Sequence, residues 1–83
     1  MHVRLHPHAV ERMAERGATD AEVRTAMDAG ESFPAKYGRT GFRRNFAGSY
    51  AWRGRQYTTK QLEVYAVRED ADWLVISCVT RYF

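Results

Sequence analysis

Apolar residues recur at helical spacing in the first third of the chain and alternate with polar ones beyond it, and this change of period divides the protein. His6-Pro7-His8 forms a helix entrance, because proline at the first helical position wastes no backbone donor. Val10, Met13, Ala14 and Gly17 then follow at i, i+3, i+4 and i+7, one apolar stripe that Gly17 terminates. Thr19-Asp20-Ala21-Glu22 has the S/T-x-x-E capping-box pattern, so a second helix begins at Asp20. Val23, Ala26 and Met27 supply its inward face, and Gly30 its left-handed terminator.

Past Gly30 the period becomes two. Phe42, Phe46, Tyr50 and Trp52 share one parity, with Arg43, Asn45, Ser49 and Ala51 on the other. Gly48 within that run predicts a bulge or bend. Leu62, Val64 and Ala66 alternate with Glu63, Tyr65 and Val67, and residues 73–83 are apolar on both parities, as in a strand buried on two sides. Glu69-Asp70-Ala71-Asp72 is a turn between the last two strands. If Leu74, Ile76 and Cys78 face the helices, Thr80 and Tyr82 continue along that side. The predicted class is α+β: two N-terminal helices packed on one face of a curved antiparallel sheet of three strands, with a fourth short one around residues 31–37.

Composition narrows the function classes. Eighty-three residues suit one domain spanning 1–83 and leave no room for a separate cofactor module. Cys78 is the single cysteine, which excludes an intrachain disulfide framework and a multi-cysteine zinc site. No apolar run approaches the roughly 20 residues of a membrane span, and the N-terminus lacks the apolar stretch of a secretory signal, so a cytoplasmic location without membrane contact is expected.

Charge is segregated. Residues 1–31 hold four Arg and six acids, and residues 61–83 hold two Arg and four acids. Residues 32–60 hold seven cations, Lys36, Arg39, Arg43, Arg44, Arg53, Arg55 and Lys60, and no acid. No carboxylate inside the block can cancel it, and Tyr37, Phe42, Phe46, Tyr50, Trp52 and Tyr57 are interleaved with it. Arginine forks that fit phosphate, beside rings that stack on bases, suit a nucleic acid. Arg39, Arg43, Arg44, Arg53, Arg55, Tyr50 and Trp52 are the candidate contacts. The plainer alternative is a solvated strand face whose aromatic residues belong to the core.

On the first helix, His8, Arg12 and Arg16 are spaced i, i+4, i+8 and lie within about 80° of arc. A neutral imidazole at a helix N-terminus can accept a proton, and two arginines along the same side can hold phosphates, a set suited to metal-free transesterification of RNA. The competing reading is an ordinary surface face in which Arg12 pairs with Glu15. His2, His6 and His8 lack the accompanying ligands of a metal centre, and Cys78 fits a core position. The Thr80 and Tyr82 hydroxyls could border the first helix and assist. A helix-turn-helix regulator is disfavoured, since residues 20–29 would present Asp20, Glu22 and Asp28 to DNA against Arg24 alone.

The run His8-Ala9-Val10-Glu11-Arg12-Met13-Ala14-Glu15-Arg16-Gly17 fits the pattern H-A-x-x-R-M-x-x-R-G. It resembles the opening of a family of small bacterial domains of unknown function allied with RelE/ParE-like toxins, within the barnase–EndoU–colicin–RelE ribonuclease group. Thr19-Asp20-Ala21-Glu22-Val23 and the strands Gln61-Leu62-Glu63-Val64-Tyr65 and Leu74-Val75-Ile76-Ser77-Cys78-Val79-Thr80 are similar to it as well. The resemblance implies a RelE-like fold and a cofactor-free, metal-independent RNA endonuclease of toxin type. RNA, free or on the ribosome, would be the substrate and a small antitoxin protein the partner. His8, Arg12 and Arg16 carry the motif; Arg44, Tyr65, Thr80 and Tyr82 join them by strand parity. The alternative on the same fold is a non-catalytic module that binds RNA or a protein partner.

Overall fold

The computed structural model describes residues 2–83. In chain order the elements are β1 (His2–Leu5), α1 (Pro7–Arg16), α2 (Asp20–Ala29), β2 (Glu31–Pro34), a short 3-10 turn (Lys36–Gly38), β3 (Thr40–Trp52), β4 (Arg55–Glu69) and β5 (Asp72–Tyr82). The five strands form one sheet in the order β1-β5-β4-β3-β2, antiparallel throughout except that β1 runs parallel to β5. Both helices cover one face. The α+β class stands, but the sheet is mixed and has five strands rather than three or four.

The helix ends follow local chemistry. Pro7 occupies the first turn of α1, and the His6 imidazole caps it by accepting from the His8 backbone N–H at 3.0 Å. Gly17 closes α1 in the left-handed conformation at φ 72°. Thr19 and Glu22 form both halves of the capping box of α2. Gly30 is extended at φ −82°, not left-handed. Glycine stands there because the chain is crowded: a Cβ would press on the Ala26 carbonyl and lie 2.6 Å from the Arg43 carbonyl.

The core lies between helices and sheet. Ala9, Val23, Ala26, Leu62, Val64, Ala66, Val75 and Cys78 are completely buried, with Val3, Met13, Met27 and Phe42 nearly so. The inward face of α1 is Ala9 and Met13; Val10 is 51% exposed and Ala14 points to solvent. The apolar stripe is therefore rotated from the one predicted. Small Ala9 lets the helix approach β5, and the stems of Arg12 and Arg16, both half-buried, flank the contact.

Two irregularities shape the sheet. One lies between Ala47 and Tyr50, where Gly48 predicts it. The other lies between Tyr65 and Ala66 in the β4–β5 ladder, and it shifts the register by one residue. Such a shift exchanges the faces of a strand. Trp73 and Val75, rather than Leu74 and Ile76, consequently share the helix side with Cys78, Thr80 and Tyr82. Ser77, Val79 and Arg81 are turned to the other face, which no helix among the described residues covers. β5 is thus buried on one side and half-exposed on the other. No helix among the described residues is long and apolar enough to cross a membrane.

Candidate functional site

The predicted residues divide between the two faces of the sheet. On α1, His8 is exposed and Arg12 is paired with Glu15 at 2.7 Å. Arg16 turns inward and donates to the Cys78 carbonyl at 2.5 Å. The Thr80 hydroxyl donates to the Arg16 carbonyl at 2.8 Å, and Tyr82 reaches the same oxygen at 3.4 Å. Lys60, 4% exposed, donates to the Gly17 carbonyl and bonds Glu22 at 2.7 Å. The last turn of a helix leaves carbonyls without partners. Arg16, Thr80, Tyr82 and Lys60 are engaged in answering that need and in docking α1 on the sheet.

The predicted aromatic contacts gather at the same end. Trp52 stacks on Tyr82 with centroids 5.0 Å apart, and Tyr50 and Tyr57 lean on that ring. Trp52 also lies against Gly17, where a Cβ would come within 3.1 Å of the indole. Tyr50 and Trp52 are half-buried here rather than displayed.

The cationic block is not left uncancelled. Glu31 and Glu63 meet Arg43, and Glu22 meets Lys60, so acids from outside the block enter it through the fold. Arg44 lies on the helix side, donating to the Ala29 carbonyl at the C-terminus of α2. Lys36 and Arg39 remain at one end of the molecule, and Arg53 and Arg55 at the β3–β4 hairpin tip at the other, without carboxylate partners among the described residues.

Polar chemistry converges instead on the uncovered face. Glu63, at the centre of β4, has a side chain only 6% exposed. Arg43 grips one carboxylate oxygen, through Nε at 2.7 Å and a terminal nitrogen at 2.6 Å. Arg81 holds the other at 2.7 Å, and the Tyr65 hydroxyl donates to it at 3.0 Å. Burial pushes the Glu63 carboxyl upward, but the hydrogen bonds from Arg81, Arg43 and Tyr65 together outweigh it and leave it below its ordinary value. Tyr65 moves upward through burial and its bond to Glu63, so its phenol keeps its proton. Cross-strand register explains the convergence: Arg43 lies opposite Glu63, and Arg81 lies opposite Gln61, one diagonal away.

Beside this cluster lies an open cavity of about 570 Å³ whose lining includes Phe33, Tyr37, Arg39, Tyr65, Ser77 and Val79. Gly41 permits its floor. The Phe33 ring lies flat over Gly41, where a Cβ would collide with it, and meets Tyr65 edge-on at 6.3 Å. The guanidinium of Arg43 sits 4.6 Å from the same ring.

Glu63 and Arg81 lie outside the set of site residues that the sequence predicts. Glu63 carries a readable signal, an acid within the apolar run of residues 62–67 and two places from a tyrosine. Arg81 carries none, because its position depends on the Tyr65–Ala66 bulge. Among the described residues no three metal-ligating side chains come together. Comparison with family models, curated proteins and solved structures found no match, so the site is defined by its geometry alone.

Proposed function

We propose that the protein is a metal-independent RNA endonuclease of RelE-like, toxin type whose active site is the Glu63–Arg43–Arg81–Tyr65 cluster. The observation carrying this reading is the buried carboxylate on the one face of the sheet that no helix covers, held by two arginines and a tyrosine that the core does not require. Perturbed, convergent polar groups beside an apolar cavity are the physical mark of a site. The likeness of the first helix to the RelE/ParE-allied domains supports the class of activity alone, because the residues that carry it, His8, Arg12 and Arg16, lie on α1 and not in this cluster.

The chemistry follows from the charges. A phosphodiester placed between Arg43 and Arg81 replaces Glu63 as their partner, and its negative charge raises the proton affinity of the carboxylate. Glu63 then takes the proton of the ribose 2′-hydroxyl, and the 2′-oxygen attacks phosphorus. The bond to the 5′-oxygen breaks while Tyr65 donates a proton to that oxygen and recovers one from Glu63. The products are a 2′,3′-cyclic phosphate and a free 5′-hydroxyl. The two arginines stabilise the extra charge of the transition state.

A second reading keeps the same face as a non-catalytic module for RNA or a small antitoxin partner. It is favoured by one fact: both oxygens of Glu63 already have partners. Incubating labelled mixed-sequence RNA with protein and EDTA separates the two. Glu63→Gln is expected to lower cleavage by about 10²–10⁴-fold while leaving RNA binding in place. Cleavage that survives Glu63→Gln but fails in His8→Ala moves the base to α1. Binding without cleavage, repeated with ribosomes present, establishes the non-catalytic module.

A further inference from the structure

We infer that the cavity beside Glu63 is a nucleobase subsite, which takes the base of the ribonucleotide whose 3′-phosphate lies between Arg43 and Arg81. The inference rests on the proposed phosphate site and adds to it the part of the substrate that the cavity would hold. Three observations carry it.

The first is position. Tyr65 belongs to both places: its ring lines the cavity and its hydroxyl bonds Glu63. Ser77, opposite Tyr65 in the ladder, is also in the lining. The cavity therefore runs beside β4 from the level of Glu63, whose partner Val79 lines it, to that of Tyr65 two residues and about 7 Å further on, the reach of one sugar between a base and its phosphate.

The second is chemistry. Phe33, Tyr37 and Tyr65 offer ring faces and edges to a flat aromatic group, while Ser77 adds a hydroxyl for a base edge. The rim is cationic, with Lys36 and Arg39 free of carboxylates among the described residues and Arg39 set 5.7 Å from the Tyr37 ring. An apolar floor with a cationic rim matches an aromatic base attached to an anionic backbone, and fits an acidic or purely aliphatic ligand less well.

The third is Tyr37 itself. The residue is 85% exposed, and its backbone is left-handed at φ 62°, a conformation that non-glycine residues with bulky side chains avoid. Gly38 follows at φ 70°, so two consecutive left-handed residues turn the chain and hold the ring out at the cavity mouth. The core gains nothing from a ring in solvent. A strained backbone that displays one is explained by a group that stacks on it.

The test is an NMR titration of the intact chain with inorganic phosphate and, separately, with the 3′-monophosphates of adenosine, guanosine, cytidine and uridine. At least one nucleotide is expected to bind about tenfold more tightly than phosphate, shifting the ring signals of Phe33, Tyr37 and Tyr65 as well as the side-chain signals of Arg43 and Arg81. Tyr37→Asn keeps a residue that tolerates the left-handed turn and is expected to erase that margin without weakening phosphate. Tyr37→Phe is expected to preserve it. If all four nucleotides bind no better than phosphate, the base subsite is overturned and the phosphate site stands. If neither phosphate nor any nucleotide moves Arg43 and Arg81, the subsite falls together with the reading it rests on.

Discussion

At the scale of single residues, Glu63 is the clearest case of a side chain whose surroundings can be tested by pH. Its carboxyl titrates below the ordinary value of 4.5, because the hydrogen bonds of Arg81, Arg43 and Tyr65 overcome the cost of burial. Glu22 is lowered as well: burial opposes ionisation, and Lys60 with the Thr19 cap more than compensates. A depressed carboxyl contributes stability that is complete above its unfolded value and is lost as pH falls through its folded one. Urea midpoints measured from neutral pH to about 3 should therefore fall steeply below about 4.5 for the native chain. Glu63→Gln, which leaves Arg43 and Arg81 facing an amide, should cost about 1–3 kcal/mol at neutral pH. Its deficit should shrink in acid, because the native carboxyl is then neutral too. A deficit independent of pH would assign the cost to packing of the amide rather than to charge. In the sequence the residue is legible only as an oddity of parity, an acid aligned with Tyr65 and Val67 between buried Leu62 and Val64.

At the scale of elements, what the pattern reveals depends on how local the cause is. Both helices, the Gly17 terminator of α1 and the capping box of α2 are legible, because Pro7, Gly17, Thr19 and Glu22 act within four residues of themselves. The extended Gly30 is not, because its conformation answers crowding against Arg43 of β3. β4 is equally plain, its three inward residues being completely buried. β1 is not legible, because four residues, His2–Leu5, give too little alternation to distinguish a strand from an extended lead into Pro7. The face assignment of β5 fails for a non-local reason: one bulge against β4 exchanges inside and outside. Lys60 is hidden in a similar way. It looks like one more cation of the central block, yet it joins the C-terminus of α1, through the Gly17 carbonyl, to the capping Glu22 at the N-terminus of α2. Favourable charge at both helix ends and near-complete burial make it a structural staple. Lys60→Met, similar in length and without the ammonium, should destabilise the fold by about 2–4 kcal/mol, read by chemical denaturation. Arg53→Gln, which removes an equal charge from an exposed position, should cost less than about 0.5 kcal/mol. Equal destabilisation in the two variants would show that net charge, not the helix junction, is what matters.

At the scale of the whole molecule, the segregation of charge along the chain becomes a segregation in space, though a different one. The seven cations do not form one patch. Arg43 and Lys60 are neutralised by acids from elsewhere, Arg44 serves the end of α2, and the rest are divided between the cavity end and the hairpin tip of a molecule 41 Å long. The hairpin extends far because β3 and β4 are 13 and 15 residues, longer than the helices can cover. Arg53 and Arg55 flank Gly54 there, beyond the aromatic group around Tyr82 and far from Glu63 along the sheet. If an RNA strand lies along the uncovered face, these two arginines meet its phosphates without touching the reacting one. For single strands the salt slope changes by about 0.7 for each phosphate that a cation neutralises. The double variant Arg53→Gln, Arg55→Gln should therefore reduce the slope of log K against log salt by up to about 1.4, measured by fluorescence anisotropy on an oligonucleotide. Because the tip is remote from the carboxylate, KM for cleavage should rise at physiological salt while kcat stays as it is. A mononucleotide, too short to reach the tip, should bind the variant and the native chain alike. An unchanged slope would confine RNA to the cavity end, with Lys36 and Arg39 as its electrostatic partners besides the proposed phosphate site of Arg43 and Arg81, and would assign the hairpin tip to an acidic protein surface instead.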